Sequence, residues 1–133
     1  VKIVVNIPVE PTPMPRPKVF KMGSGQVVTV TPGRAAKTES MIREYVMKAA
    51  GSRFRKDIPL KLSADFVVPK PKSAPRKRRY PVTRPDLDQY LKLLMDALNK
   101  YLWEDDSQVV AVCATKRYGE LPSIGLEVES VEA

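Results

Sequence analysis

The stretch from Arg84 to Val110 reads RPDLDQYLKLLMDALNKYLWEDDSQVV, and the fold of the chain can be worked out from it. On a wheel of about 100° per residue, Leu87, Leu91, Leu94, Leu98 and Tyr101 fall on one stripe, with Tyr90 and Leu102 at its edges. This spacing predicts an amphipathic helix from Leu87 to about Leu102, its apolar stripe packed against a sheet. Asp88, Lys92, Asp96 and Asn99 form a separate polar edge. Asp86, after Pro85, is placed to cap the helix, and Gln89 completes an Asp-x-x-Gln variant of the capping box. Asp105 and Asp106 follow where the helix ends. These five aspartates are a third of the fifteen acidic residues in a chain of net charge +8.

On the amino-terminal side, Ile58, Leu60, Leu62, Ala64, Phe66 and Val68 alternate with Pro59, Lys61, Ser63 and Asp65, the period-2 pattern of a strand with one buried face. On the carboxy-terminal side, Gln108 to Thr115 is rich in valine and reads as a fully buried strand. Ile124, Leu126 and Val128 alternate as a last strand, and Gly119 and Pro122 mark a turn between the two, which predicts a hairpin.

Further out, Ile42, Tyr45, Val46 and Ala49 give a helix from Ala35 to Ala50, with Gly51 as its C-cap. Val19 to Met22 and Val27 to Val30 flank Gly23, Ser24 and Gly25 as a second hairpin. Val1 to Ile7 is a first strand ended by Pro8. Alternating prolines to Pro17 then enforce an extended path that carries Arg16 and Lys18. The resulting expectation is one small α+β domain over residues 1–133, a mixed β-sheet packed by two main helices.

The absence of histidine and the single cysteine, Cys113, exclude an intrachain disulfide, a Cys/His zinc site, a Ser-His-Asp triad and a histidine base. Cys113 lies in the apolar run VVAVCAT and reads as a buried, inert thiol. The charge and a pI near 9.7 favour a polyanionic partner. Nucleic acid stands ahead of a membrane surface, because no apolar run is long enough to span a bilayer. VKIVVNIPVE carries neither the apolar segment nor the cleavage site of a signal peptide, so a reducing, cytoplasmic compartment is expected.

Between Pro69 and Arg84, Lys70, Lys72, Arg76, Lys77, Arg78, Arg79 and Arg84 occur without an acid and are punctuated by prolines. As an isolated run this is a solvated loop, mobile when free. Leading into the acidic helix, it is also a cationic strap able to neutralise phosphates. Tyr80 within it either stacks on a base or anchors the loop.

Taken singly, each aspartate has a structural explanation: a cap, an i,i+4 partner of Lys92, or a turn former. Taken together they repel, and Mg²⁺ or Mn²⁺ would satisfy them with hard oxygen ligands. Asp86 and Asp88 converge only if Asp86 lies outside the helical turn, and a third carboxylate, from Asp105 or Asp106, requires the chain to return to the same edge. Lys92 could stabilise charge on a phosphorane. These residue types suit phosphodiester hydrolysis.

The run R-P-D-L-D-Q-Y-L-K-L-L-M-D-A-L, followed by W-E-D-D-S-Q-V-V, resembles the RusA-type Holliday-junction resolvase family. The similarity is densest over residues 84 to 112 and extends more loosely to M-P-R-P-K-V-F and the carboxy-terminal part. It implies a homodimeric, Mg²⁺-dependent endonuclease of bacterial or phage-infected cells that nicks four-way DNA junctions on opposed strands. The family's essential acids fall on Asp86, Asp88 and Asp106, with Asp105 as the alternative third ligand, and its helix lysine falls on Lys92. Asp96 matches a further acidic position. Gln89 stands where the family usually has asparagine, the same amide on a longer arm. The DNA contacts expected are Arg16, Lys18, Lys70, Lys72, Arg76, Lys77, Arg78, Arg79 and Arg84. The competing expectations are a noncatalytic DNA-binding protein and a metal-dependent nuclease acting on other branched DNA or on RNA.

Overall fold

Alternation along Leu60–Val68 places Leu60, Leu62, Ala64, Phe66 and Val68 in the core, with Val67 also buried near its end, and this strand, β4, is internal to the main sheet. The computed structural model describes residues 1–15, 18–21, 23, 27–30 and 33–131, with 18–21 and 27–30 described by backbone alone. The order of elements is β1 (Lys2–Ile7), β2 (Lys18–Lys21), β3 (Val27–Val30), α1 (Gly33–Ala50), β4 (Leu60–Val68), α2 (Leu87–Leu98), β5 (Val109–Tyr118) and β6 (Ser123–Ser130). A short 3-10 turn, Asp106–Gln108, precedes β5. The chain is thus an α+β domain with a four-stranded mixed sheet in the order β1-β6-β4-β5. The separate antiparallel hairpin β2–β3 is the one that the glycines predict, although Met22, Ser24 and Gly25 of its turn lie outside the described residues.

Both helices cover one face of the sheet. Ile7 of β1, Leu62 and Phe66 of β4, and Ile124, Leu126 and Val128 of β6 meet Ile42 and Val46 of α1 and Leu93, Leu94 and Leu98 of α2. Each of these large side chains contributes roughly 1.5–3 kcal/mol by leaving water, which outweighs the ~1 kcal/mol of a helix cap. Packing therefore holds α2 in place and the cap only sets where it begins. Gly51 takes φ 72° and donates its N–H to Met47 O at 3.1 Å, so α1 ends with the left-handed residue expected of a C-cap.

Four expectations are corrected. First, β5 and β6 do not form a hairpin. β5 runs parallel to β4, whereas β6 lies antiparallel between β1 and β4. A parallel partner needs a crossover, and the strap with α2 supplies it. Second, β5 is the exposed edge of the sheet, with Val110 62% exposed. Third, Cys113 on that edge is exposed, because neither helix extends over it. Fourth, α2 stops at Leu98, capped by Asn99, and its buried stripe is Tyr90, Leu93, Leu94, Ala97 and Leu98. Tyr101 is exposed and Leu87 and Leu91 only border the core, because the sheet approaches α2 from about one residue further round the wheel. On α1 the same holds: Ala35, Thr38, Ile42 and Val46 are buried, while Tyr45 is exposed.

Candidate active site

Asp86 has extended backbone (φ −70°, ψ 150°) and stands outside the first turn of α2. Gln89 faces it as in a capping box: the Gln89 amide oxygen accepts the Asp86 N–H at 3.0 Å, and the Gln89 N–H goes to the Asp86 carbonyl at 3.1 Å. The Asp86 carboxylate makes no side-chain cap hydrogen bond and is exposed, as is Asp88. Lys116 on β5 fixes this end of the helix by donating from Nζ to the carbonyls of Thr83 (2.9 Å) and Pro85 (3.0 Å). Lys116 was not among the expected site residues. Its place at the end of a valine-rich strand is visible in the sequence, but which carbonyls it meets depends on the parallel pairing of β5.

Beyond the other end of α2, the chain turns through Asp105 and Asp106 into β5. Gln108 is buried and all four of its amide bonds are made. Its Nε2 donates to the carbonyls of Arg55 (2.7 Å) and Ile58 (3.0 Å), and its Oε1 accepts from the N–H groups of Glu104 (2.9 Å) and Asp105 (3.1 Å). One side chain thereby ties the acidic turn to the segment leading into β4. The fully buried Trp103 donates its indole N–H to Asp106 Oδ1 at 2.8 Å. Neither residue was singled out in the sequence, where Gln108 reads as the start of a strand.

The two adjacent aspartates behave differently. Asp105 is exposed, and its carboxylate accepts the Ser107 N–H at 3.0 Å and lies 3.7 Å from Lys100 Nζ. Its pKa is lowered, chiefly by hydrogen bonding from Ser107 and then by Lys100. Asp106 is partly buried and its pKa is raised, first by desolvation and then by the charges of Asp96 and Asp105, against the lowering effect of the Trp103 bond and of Lys92. Asp106 thus lies within electrostatic reach of Asp96 and Lys92 on α2.

Asp88 lies on the same edge of α2 about two turns before Asp96, roughly 12 Å along the axis, and Asp86 precedes the helix next to Pro85, whose carbonyl accepts from Lys116. Among the described residues no three acidic or cysteine side chains form a ready metal-binding group. The donor chemistry nonetheless suits a hard cation: carboxylate oxygens dominate, and Asn99 Oδ1, one turn beyond Asp96, is buried without a hydrogen-bond partner among the described residues.

Of the expected DNA contacts, Lys72, Arg76, Lys77, Arg78, Arg79 and Arg84 are exposed along the strap and Lys70 is half-buried. Arg16 lies outside the described residues, and Lys18 is described by its backbone alone. The strap is built from turns closed by Ala74 N–H to Pro71 O and Arg78 N–H to Pro75 O, each 3.0 Å, and is joined to β5 by Tyr118 N–H to Arg79 O at 2.9 Å.

The model of the family described as Endodeoxyribonuclease RusA matches residues 8–129. The chain belongs to that family. The RusA match spans every element from α1 to β5 and nearly all of β6, and so covers the acidic helix, the strap and the turn that carries Asp106. The chain is 28% identical over 137 residues to the uncharacterized protein YqaN of Bacillus subtilis (strain 168), covering 93% of each. It is 38% identical over 79 residues to the crossover junction endodeoxyribonuclease rusA of Lactococcus phage r1t, covering 59% of this chain and 60% of that one. RusA membership makes this chain a nuclease of the endodeoxyribonuclease class. Among the described residues no helix is long and apolar enough to cross a membrane.

Proposed function

We propose that the chain resolves four-way (Holliday) DNA junctions by paired hydrolysis of phosphodiester bonds, acting as a homodimer with Mg²⁺ or Mn²⁺. Membership of the RusA family supports the reaction, and the phage relative's name supports the junction as substrate. The observation that carries the reading is Asp106, its carboxylate braced by the buried Trp103 indole just beyond a helix that opens with Asp86 and Asp88 and that a cationic strap introduces.

The strap cations neutralise backbone phosphates and hold the branched substrate without reading its sequence. Lys92 lies where it can stabilise negative charge as it accumulates on the phosphorus oxygens. The acids that would hold the ion are Asp86 and Asp88 at the start of α2 and Asp106 beyond its end. They are not gathered into a three-ligand group in the structure, so the ion would have to draw them together, and when bound it would supply Lewis-acid polarisation of the phosphate and an activated water. Trp103 holds the Asp106 carboxylate, and Gln108 holds the turn that carries it. Two copies of the chain would bring one such site to each of two opposed strands.

The test is cleavage of a synthetic four-way junction by the parent protein beside Asp88→Asn, with Mg²⁺ and with Mn²⁺, next to flaps, plain duplex and RNA. Paired nicks by the parent alone support the proposal. Binding of the junction without any cut under either ion would refute nuclease action, and preferential cutting of flaps or RNA would move the substrate. Asp96→Asn in the same series separates a ligand of the ion from a neighbour of Asp106.

A further inference from the structure

At the strap end of the sheet, a cleft of about 690 Å³ opens between the strap and the end of β5, walled by Lys70, Arg78, Arg79, Tyr80, Arg117 and Tyr118. Its frame is held by backbone. Tyr118 N–H donates to Arg79 O at 2.9 Å, which ties the strap to β5, and Gly119 N–H donates to Val68 O at 3.1 Å, which ties the end of β5 to β4. Lys70 Nζ donates to Arg76 O at 2.6 Å and sits 5.8 Å from the centre of the Tyr118 ring. Tyr80 is 60% exposed, an aromatic side chain left largely in water at the cleft wall.

The lining is selective in kind. Arg78 and Arg79, which make no ion pair among the described residues, call for an anion, whereas Arg117 is held by Asp65 at 2.9 Å. Two phenol rings call for a flat π surface, and Glu120, also in the wall, calls for a hydrogen-bond donor. Inorganic phosphate would use only the cations, and an acidic peptide would leave the rings unused. A nucleotide satisfies all three. The volume is that of a small-molecule site and far below what a duplex needs, so the occupant is a single unit taken out of the stack.

We propose that this cleft receives one unstacked nucleotide of the DNA substrate, its base against Tyr80 and Tyr118 and its phosphate on Arg78 and Arg79. The inference rests on the nuclease reading for the identity of the substrate, and it adds a base-accepting subsite to it. A second, smaller depression shares Pro69 and Tyr118 with the cleft and runs past Lys116 and Pro85 toward the start of α2. The strand that gives up a base is thereby led toward Asp86. Strand ends and branch points offer the least costly bases to unstack, so the cleft would favour branched over continuous duplex DNA.

The test has two arms. In EDTA, the full chain is titrated with 5′-deoxynucleoside monophosphates, with 2-deoxyribose 5-phosphate and with inorganic phosphate, and amide shifts are followed by NMR. Shifts at Tyr80, Tyr118 and Gly119, with at least ~10-fold tighter binding of the nucleotide than of the sugar phosphate, are expected. Tyr80→Ala, an exposed position that should not disturb folding, removes that difference, and Tyr80→Phe keeps it. In the second arm, an abasic residue is walked through the strands flanking a four-way junction. At one position it weakens binding by the parent by roughly 5- to 150-fold and leaves binding by Tyr80→Ala unchanged. Equal affinity for nucleotide and sugar phosphate, shifts that map elsewhere, or a Tyr80→Ala loss that is the same on intact and abasic junctions would each overturn the proposal. Mononucleotide binding at the cleft in a protein that never cuts DNA would sink the nuclease reading and leave the subsite standing.

Discussion

The indole N–H of Trp103 meets Asp106 Oδ1 at 2.8 Å, so the largest fully buried side chain of the core is also the brace of the acid proposed to bind the ion. Trp103→Phe keeps an aromatic ring and removes the donor. It should cost about 1–3 kcal/mol of stability through the unmet hydrogen bond. It should also weaken Mg²⁺ binding about 10- to 100-fold, as loss of an outer partner of a metal ligand does. Thermal unfolding across a Mg²⁺ titration measures both. Equal Mg²⁺ dependence in parent and variant would show that the brace serves folding alone.

Gln108 acts on the same turn from the opposite side. Gln108→Leu has a similar volume but abandons two carbonyls and two N–H groups that the amide satisfies. A loss of about 2–4 kcal/mol is expected in urea unfolding, since buried polar groups left without partners carry their full desolvation cost. Junction cleavage should fall more steeply than junction binding, because the strap lies at the other end of α2. A variant that loses binding and cleavage in parallel would argue against a local role.

Glu39 gives a pH signature. Its pKa is raised, first by burial and also by Asp96, while Arg43, 3.1 Å away, opposes the shift. With the folded value above the ordinary 4.5, the protonated form is favoured on folding. The corresponding stability is present below that value and is lost as pH rises through the folded pKa. Glu39→Gln should therefore gain in melting temperature relative to the parent between about pH 4 and pH 7. A difference that does not change with pH would show that Glu39 titrates alike in the folded and unfolded chain.

Asp88→Asn separates catalysis from architecture. Asp88 is exposed and makes no salt bridge with Lys92, its i,i+4 neighbour; even a formed pair of that kind contributes only a few tenths of a kcal/mol. The variant should fold as the parent does in metal-free buffer and bind the junction with unchanged affinity. Its cleavage rate should fall by ~100-fold or more, at least the cost of losing an outer partner. Parent and variant melting curves with and without Mg²⁺ complete the test, because ion binding to the folded state raises only the parent. A stability loss in metal-free buffer would assign Asp88 to the framework.

Much of the candidate site was legible because its signals are local. Asp86 as the residue that starts α2, Gln89 as its partner, and the Asp88–Lys92–Asp96 edge all follow from spacing within one helix, as Leu60–Val68 follows from alternation within one strand. Less legible were Lys116, Trp103, Asn99 and the cleft around Tyr118. Lys116 owes its role to the carbonyls of Thr83 and Pro85, far away in the chain, whereas Trp103 reaches Asp106 only three residues on, and the local pattern does not say which way its indole turns.

The amino-acid order was enough for the α+β class, the amphipathic helix, the β2–β3 hairpin and the acids available for chemistry. It could not say which strand lies beside which. A run such as VVAVCAT has the same composition whether it is sheathed on both faces or left at an edge, and parallel pairing with β4 made it the edge. That choice exposed Cys113 and carried Tyr118 to the strap. Periodicity reports the face a residue presents. Long-range strand pairing sets what that face meets.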